Sequence, residues 1–575
     1  MPTLDVEGGR WVLRCSPLAR DVAAQIPALR YDRKLEAWAG PLVLSTPLVA
    51  RALFGQDLQP SEQAYQTVGY WNSDAEAQAR ILAGDDHVNV RGDFNLSDAL
   101  FPEQVGSSAL MSMQGWFLNC DDRGSGKSVQ TACALEAADE WPAVIVSTKS
   151  MLHTWADEIR KHTSATPVVL TGTAPQRKKL IASARLMDKA VIICTLGSVK
   201  AHSKHASYGS VIRKEEHKEP KELNGGWVRT VVVDEAASLK DPKAQQTRAV
   251  WAIGDEAERR IALTGTPIVN TPLDLWGILR FLSPDDFPSR SKFRDRYVLT
   301  AEDFFGGVRD LGLRPDTQPE LERILQGHYC RRPLRLPVDI LPPQVRWLDM
   351  EPKQAKAYRD LEKEMMAEVD GNLLLVTDPL AKALRLQQIA SATPEVSDDG
   401  QVTALLSPSC KVSALLELLT EMGDEPLVVF AESRKLIELC YDTLTAEKGP
   451  LPGPGQVGLI TGKISAVERA ANIEAFQRGD MQVMLCTFGA GAEGITLTRA
   501  NTMCFLQRSF SYVKNVQAEG RVARIGQERD VQYIEFVTRG TIESRVHDAF
   551  SDKEATAQEF LQDPEFIRRV LSPEV

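Results

Sequence analysis

Two series of short apolar runs, separated by helical patterns, predict an α/β protein with two parallel-sheet units. Strands that are covered on both faces read as short continuous runs of Val, Ile and Leu bounded by polar loops, and these runs have that form. The length of 575 residues supports the same division, because one hydrophobic core stops growing well below that size. A composition of 43% hydrophobic and 25% charged residues is that of an ordinary globular chain.

Residues 1–95 carry no catalytic signature and are predicted to form a small N-terminal α+β accessory domain. Within this segment Trp11–Cys15 indicates a strand, and Leu18–Leu29 and Pro47–Phe54 indicate helices. The alternation of strands and helices that defines the sheet units begins after it.

Residues 96–269 are predicted to form the first sheet unit, and residues 346–575 the second unit with a C-terminal helix. Residues 270–345 break the rhythm of strands and helices, which indicates a helical insertion and the segment between the units. The strands predicted for the first unit are Gly115–Cys120, Ala143–Ser147, Val168–Thr171, Ala190–Thr195, Val228–Val233 and Ile261–Thr264. Those predicted for the second are Leu427–Phe430, Val457–Thr461, Val483–Thr487, Met503–Phe505 and Gln532–Phe536.

Several classes of protein are disfavoured by composition. A run of about 18 apolar residues and a signal-peptide pattern are both missing, so we expect a cytoplasmic protein without a membrane partner. Nine scattered cysteines without Cys-x-x-Cys spacing are typical of a reducing compartment. A net charge of −11 argues against a polyanion-binding surface over the whole molecule but permits a local basic track. His202 and His205 have metal-ligand spacing, but a solvated loop is the better interpretation.

A glycine-rich segment at Gly124–Ser128 is predicted to wrap the phosphates of a nucleotide where a strand becomes a helix. Lys127 would bridge the β- and γ-phosphates, and Ser128 would bind Mg²⁺. The strict pattern has Gly at position 121, where this chain has Asp121, so an ordinary strand-to-helix turn stays an alternative. The predicted phosphate contacts are Arg123, Gly124, Ser125, Gly126, Lys127 and Ser128.

The apolar run Val231–Val233 is followed by two carboxylates, Asp234 and Glu235. This is the pattern that magnesium binding and water activation require, with Asp234 holding the metal and Glu235 acting as general base. A pair of acidic residues at a helix N-terminus is the alternative. The preceding glycine-rich loop favours the catalytic interpretation, with a nucleoside triphosphate as the substrate.

A third segment, Gln517–Gln527, carries Arg521 and Arg524 three residues apart, which predicts that both lie on one helical face. Such arginines can stabilise negative charge on a γ-phosphate during its transfer. A solvated basic helix end is the alternative, although it leaves the flanking Gln and Gly residues unexplained.

Together these motifs resemble those of a Swi/Snf-type ATPase of helicase superfamily two, within the broad group of DEAD/DEAH-like helicases. The resemblance covers about residues 98–550, and the motifs occur in the family's order. The matching segments are Leu100–Gln104, Asp121–Ser128, Val144–Trp155, Val231–Asp241, Leu263–Asn270, Leu275–Leu282, Arg331–Pro343, Leu384–Ile389, Ser409–Val412, Thr487–Leu497 and Gln517–Gln527.

The resemblance implies two RecA-like lobes and roles for several further residues. Gln104 would read the adenine, and Gly494 and Gln517 would contribute to nucleotide binding. The residues expected to contact the DNA backbone are Lys149, Thr195 and Thr487.

Two departures from the family pattern are visible. Ala237 stands where the family usually has the His that couples the ATP site to the other motifs, so the efficiency of coupling is in question. Arg123 replaces a hydrophobic residue in the phosphate loop and adds a basic group there. The segment Ile26–Trp38 is also similar to the region before the ATPase in fork-remodelling, strand-annealing members. A small domain packed on the first lobe explains that segment equally well.

The resemblance implies an ATP- and Mg²⁺-dependent translocase that remodels duplex, forked or protein-bound DNA in replication, recombination or repair. We expect a compact bacterial or phage protein, monomeric, with possible replication or recombination partners. Two alternatives stay open: a strand-separating helicase on DNA or RNA, and a DNA-binding scaffold with weak ATPase activity.

Overall fold

The computed structural model of the protein describes residues 1–83, 100–122, 124–206, 221–265, 267–268, 272–302, 308–333, 336–364, 366–369, 372–375, 379–397, 402–453, 455–491, 495–545 and 547. The chain divides into two compact units. Of the described residues, the first unit contains those within 1–122 and 126–333, and the second contains residues 124–125 and those within 336–547. The finer division at residues 95, 269 and 345 stays a prediction.

The N-terminal segment combines a mixed sheet with three helices. Its elements are β1 (Thr3–Glu7), β2 (Arg10–Arg14), α1 (Arg20–Ala23), β3 (Arg30–Asp32), β4 (Ala37–Pro41), α2 (Ser45–Phe54), β5 (Gln59–Pro60) and α3 (Glu62–Ala83). The strand order is β3-β4-β2-β1-β5, with only β5 parallel to its neighbour. The helix predicted over Leu18–Leu29 is shorter than expected, because Pro27 disfavours helical backbone at the residue before it.

The first unit continues with the alternation that its apolar runs predict. Its elements are α4 (Pro102–Met113), β6 (Trp116–Asn119), α5 (Lys127–Ala138), β7 (Ala143–Ser147), α6 (Leu152–His162), β8 (Thr166–Val169), α7 (Ala174–Ala184), β9 (Ala190–Thr195), α8 (Leu196–His202), β10 (Thr230–Asp234), α9 (Gln245–Gly254) and β11 (Arg259–Leu263). All six predicted strands are confirmed, with small shifts at their ends.

The predicted helical insertion contains three helices and also a hairpin that the sequence did not predict. Its elements are α10 (Leu273–Leu282), α11 (Arg290–Tyr297), β12 (Val298–Glu302), β13 (Val308–Leu313), α12 (Gln318–Leu325) and β14 (Tyr329–Cys330). The hairpin is anchored where Val298 pairs with Leu313, and both residues are buried. Strand β14 returns to the sheet as an edge strand.

The first sheet is wholly parallel, in the order β14-β6-β11-β10-β7-β9-β8. Its central strands are buried along their length, with helices covering both faces. Because all seven strands point the same way, their carboxyl ends form one edge. The loops that follow the strands therefore meet at that edge.

The second unit repeats the architecture. Its elements are β15 (Gln344–Leu348), α13 (Pro352–Glu364), β16 (Met366–Val369), β17 (Asn372–Leu375), α14 (Pro379–Ser391), β18 (Thr393–Val396), β19 (Val402–Leu406), α15 (Cys410–Met422), β20 (Leu427–Ala431), α16 (Arg434–Thr445), β21 (Val457–Ile460), α17 (Ala466–Arg478), β22 (Val483–Thr487), α18 (Phe488–Gly491), β23 (Thr502–Phe505), α19 (Tyr512–Glu519) and β24 (Gln532–Thr538).

The second sheet is also wholly parallel, in the order β15-β24-β23-β20-β22-β21. The five predicted strands are confirmed, and β15 is an additional edge strand. The α/β class with two parallel-sheet lobes is therefore confirmed. The predicted C-terminal helix falls largely beyond residue 547, outside the described residues. Among the residues that the structure describes, no helix is both long and apolar enough to cross a membrane.

Candidate nucleotide site

The glycine-rich loop connects β6 to α5, as the sequence predicts. Gly124 and Gly126 have φ values of 81° and 76°, the left-handed region that favours glycine. A Cβ atom at Gly126 would lie 2.7 Å from Nε2 of Gln104, so a side chain there would displace Gln104. The loop ends at the N-terminus of α5, and the positive end of a helix dipole favours an anion there. Arg123 lies outside the described residues.

Lys127 is the first residue of α5, and its ammonium group is turned onto its own loop. Its Nζ donates hydrogen bonds to the carbonyl oxygens of Asp121 and Asp122 at 2.6 and 2.9 Å. A phosphate is a stronger, charged acceptor for the same group. Ser128 is half-buried beside it on α5. This arrangement fits a nucleotide phosphate.

Gln104 lies on α4 against this loop and is 4% exposed. Its Oε1 accepts a hydrogen bond from the backbone N–H of Phe101 at 2.8 Å. The side chain therefore caps α4 and also packs beside Gly126. Its role in reading adenine stays a prediction.

Asp234 ends β10 with both carboxylate oxygens engaged. Oδ2 accepts hydrogen bonds from Ser147 Oγ at 2.8 Å and Trp155 Nε1 at 2.9 Å, and Oδ1 accepts one from the backbone N–H of Glu235 at 3.0 Å. Surrounding protein atoms raise the pKa of Asp234 by desolvation, and the Glu235 charge adds to this. The ionised carboxylate is therefore costly in the absence of a cation, and a divalent cation would offset that cost.

Glu235 adopts left-handed backbone angles, with φ 50° and ψ 53°. A residue other than Gly in this region costs roughly 1–3 kcal/mol, and such residues cluster at functional sites. Glu235 is the N-cap of the 3-10 turn Ala236–Leu239, which contains Ala237.

The order of the strands brings the glycine-rich loop and the two carboxylates to one edge. Asp234 pairs with Leu263 on β11, and Leu263 pairs with Asn119 at the end of β6. Since neighbouring strands lie about 4.8 Å apart, the start of the loop and Asp234 are separated by roughly 10 Å across two strands. A nucleoside triphosphate bound at the loop and a metal ion bound at Asp234 fit this spacing. The residues present therefore suit both the nucleotide and the metal ion.

Asp121, which replaces the expected glycine, is the centre of a buried polar network. Its carboxylate accepts hydrogen bonds from the backbone N–H and Nε of Arg332 at 3.0 and 3.1 Å, and also contacts Arg332 Nη2. Arg332 donates to Ser107 at 2.7 Å, and Gln130 donates to Asp121 at 3.3 Å. The network ties the glycine-rich loop to the segment after β14. The sequence showed the missing glycine but not this partner.

We expect Arg332→Met to lower the free energy of unfolding of the first unit by about 3–5 kcal/mol, because it removes the cation beside a buried carboxylate. Arg314→Met is the matched control, because its partner Asp316 is exposed, with 64% of the side chain accessible. The control should cost less than about 1 kcal/mol. Urea unfolding followed by circular dichroism measures both. Equal costs for the two variants would contradict the expectation.

The candidate arginines of the second unit meet at one backbone carbonyl. Nη1 of Arg521 and of Arg524 donate to the Ile495 oxygen at 3.2 and 3.4 Å, and Arg521 Nε donates to the Gln517 oxygen at 2.8 Å. The prediction that both arginines lie on one helical face is wrong. Helix α19 ends at Glu519, with Gly520 as its C-cap, and the arginines lie in the turns that follow. Gly494 lies outside the described residues.

The predicted DNA contacts lie at strand ends or in the turn that follows one. Lys149 is exposed in the 3-10 turn Lys149–Met151 after β7. Thr195 ends β9, and its Oγ1 accepts from the Ser198 N–H at 3.3 Å, so it caps α8. Thr487 ends β22 in the second unit, where it is buried. Their contact with DNA stays a prediction.

His202 corrects one expectation. It is 4% exposed and not in a solvated loop, because α8 extends to it and its ring packs between Arg177 and Glu222. The interpretation that it is not a metal ligand is unaffected. Within the described parts of the chain, no cluster of three or more His, Cys, Asp or Glu residues could hold a metal.

Comparison with known proteins gives two domain families. The SNF2-related domain matches residues 68–393, more than half of the chain, and the Helicase conserved C-terminal domain matches residues 410–526. A solved structure, the Sulfolobus solfataricus SWI2/SNF2 ATPase core in complex with dsDNA, is 22% identical, with a TM-score of 0.36, and the match covers 85% of this chain and 100% of that one.

Curated relatives are distant and longer. The putative ATP-dependent helicase/translocase YwqA of Bacillus subtilis is 26% identical over 79% of this chain and 47% of its own. The ISWI chromatin-remodeling complex ATPase CHR17 of Arabidopsis thaliana is 25% identical, over 74% of this chain and 38% of its own. The DNA annealing helicase and endonuclease ZRANB3 of Mus musculus is 24% identical, over 74% and 37%. The chain thus spans less than half the length of these relatives. From the match to the family domain, the chain belongs to the SNF2-related family, the Swi/Snf type of helicase superfamily two.

Proposed function

We propose that the protein is an ATP-dependent DNA translocase that hydrolyses ATP when it binds DNA. The observation that carries the proposal is the shared sheet edge, which sets the loop before Lys127 two strands from Asp234 and Glu235. Family membership and the relatives named as ATP-dependent helicases or remodelling ATPases support it.

Each residue at this edge has a chemical task in the proposed reaction. The Lys127 ammonium leaves its loop carbonyls and binds the β- and γ-phosphates. Ser128 and Asp234 would hold Mg²⁺, which when bound would supply neutralising charge for the phosphate oxygens. Glu235 orients a water molecule and accepts its proton. Gln104, the glycines of the loop, Gly494 and Gln517 complete the nucleotide contacts, and Arg521 and Arg524 stabilise charge on the γ-phosphate.

DNA binding is proposed to run through the sugar-phosphate backbone, with Lys149, Thr195 and Thr487 as contacts. Phosphate contacts carry little sequence information, so binding should be independent of sequence and should weaken steeply with salt. The overall acidic charge, −11, makes a local patch necessary for such binding. Fork remodelling and protein displacement on DNA are the finer activities within this proposal, and ZRANB3, named as a DNA annealing helicase, supports the first.

The test is steady-state ATP hydrolysis without nucleic acid and with blunt duplex, forked DNA, single-stranded DNA and RNA. We expect stimulation by duplex or forked DNA and its loss in Lys127→Ala. Lys189→Ala is the matched control, since Lys189 lies in the same unit and pairs with Asp139 at the surface. Stimulation only by single strands or RNA would favour a strand-separating helicase. An absence of stimulation would favour the scaffold.

A further inference from the structure

Two buried polar side chains converge on one oxygen of the proposed metal-binding carboxylate. Trp155 is 0% exposed, and Ser147 is 4% exposed. Both donate a hydrogen bond to Asp234 Oδ2, Trp155 from Nε1 at 2.9 Å and Ser147 from Oγ at 2.8 Å. Packing alone does not require an N–H and an O–H to meet at one oxygen atom. Donors of this kind outside a metal's own ligands orient the ligand and tune its affinity.

The same two residues bracket the segment that carries a proposed DNA contact. Ser147 is the last residue of β7, Lys149–Met151 forms a 3-10 turn, and Trp155 lies in the first turn of α6. Lys149 lies between these two donor residues in the sequence, and its side chain is exposed. A shift of this turn would therefore move one or both donors relative to Asp234.

The sheet places the second proposed DNA contact beside the same point. Ser147 pairs with Thr195 on β9, and on the other side of β7 Val146 pairs with Val233, the residue before Asp234. Across the edge of the sheet the order is thus Thr195, Ser147, Asp234. Ser147 occupies the strand between a proposed DNA contact and the proposed metal ligand.

We propose that Trp155 and Ser147 are positioning residues that hold Asp234 in its metal-binding orientation and connect the DNA-facing turn at Lys149 to it. The proposal has two arms. The metal arm is the positioning of Asp234, and it is independent of the proposed function. The DNA arm is the connection to the turn at Lys149, and it rests on the proposed function. It also supplies a coupling route from that turn to the proposed metal ligand. The route uses contacts inside the first unit alone.

The metal arm measures binding without turnover. A fluorescent ADP analogue is titrated against the 575-residue chain, and the Mg²⁺ concentration that gives half-maximal binding is recorded. Trp155→Phe keeps an aromatic ring and removes the N–H, and Ser147→Ala removes only the hydroxyl. Removing such an outer hydrogen bond typically costs about 10–100-fold in metal affinity, and we expect the Mg²⁺ requirement of each variant to rise within that range.

The matched controls remove equivalent groups elsewhere in the same unit. Trp251 is also 0% exposed, and its indole N–H donates to the Gly277 carbonyl at 3.1 Å, so Trp251→Phe tests for general loss of packing. Ser203 is 0% exposed, and its hydroxyl donates to the Ala249 carbonyl at 2.9 Å. Ser203→Ala is therefore the control for Ser147→Ala, since it also removes one buried hydroxyl. Both controls should leave the Mg²⁺ requirement unchanged.

The DNA arm compares the ratio of ATP hydrolysis with and without duplex at saturating Mg²⁺. Trp155→Phe should reduce this ratio several-fold, and Trp251→Phe should not. A raised Mg²⁺ requirement with a wild-type ratio would support positioning and overturn coupling. Variants that match their controls in both arms would overturn the whole proposal. If the wild-type protein itself shows no stimulation, the proposed function and with it the coupling fail, and the metal arm still decides the positioning role.

Discussion

Replacing Glu235 by Gln is expected to lower the rate of DNA-stimulated ATP hydrolysis by about 10²–10⁴-fold, the usual contribution of a general base. The amide keeps the size of the carboxylate but does not accept a proton from water at neutral pH. Nucleotide binding should change little, since Lys127 and Asp234 are intact. The turnover rate and the affinity for a fluorescent ADP analogue, measured on the same preparation, separate the two effects.

The control for this variant is Glu258→Gln. Glu258 is exposed in the same unit and pairs with Arg229 at 2.8 Å, so the change removes one surface charge without touching the sheet edge. Because Gln and Glu have similar backbone preferences, Glu235→Gln should leave the left-handed backbone conformation at position 235 unchanged. A loss of activity is then due to the loss of the carboxylate. A Glu235→Gln protein that hydrolyses ATP at the wild-type rate would show that another group activates the water.

The second large effect is expected in the stability of the second unit. Lys411 is 0% exposed, and its Nζ donates hydrogen bonds of 2.6 Å to Glu543 Oε2 and to the Phe536 carbonyl. Only 6% of the Glu543 side chain is exposed, so the ion pair lies away from water. Lys411→Met should lower the free energy of unfolding by about 3–5 kcal/mol, because it leaves a buried carboxylate without its cation.

Urea unfolding of the variant and of Arg434→Met tests this expectation. Arg434 pairs with Glu438 one helical turn away, where both side chains are partly exposed, so its loss should cost less than about 1 kcal/mol. The double variant Lys411→Met/Glu543→Leu removes both charges and should recover much of the lost stability. A single variant as stable as the wild type would show that the pair contributes little. A double variant no more stable than the single one would show that the unpaired Glu543 carboxylate is not the cause of the loss.

The fold class and the core of the candidate site were predictable because their signals are local. A buried parallel strand is an apolar run of a few residues, and such runs placed eleven strands of the two sheets within two or three residues of their ends. The glycines of the phosphate loop and the pair Asp234 and Glu235 follow strands directly in the sequence. Because parallel strands end at one edge, their convergence follows from the fold class itself.

The errors and omissions concern features that local pattern does not determine. The edge strands β14 and β15 and the hairpin β12–β13 are short, and long-range pairing defines them. The helix predicted to carry Arg521 and Arg524 ends at Glu519, with Gly520 as its C-cap, so the spacing of the two arginines did not predict their conformation.

The sequence by itself determined the fold class and the ordered motifs of an SNF2-related protein. It also predicted the residues proposed to carry the chemistry, a phosphate loop and two carboxylates after a buried strand. The tertiary structure alone decided what holds them. Trp155 reaches Asp234 across 79 positions of the chain, and Arg332 reaches Asp121 across 211. Hydrogen bonds of this kind depend on the order of the strands in the sheet. That order follows from the packing of the whole unit, which the periodicity of any short segment does not encode.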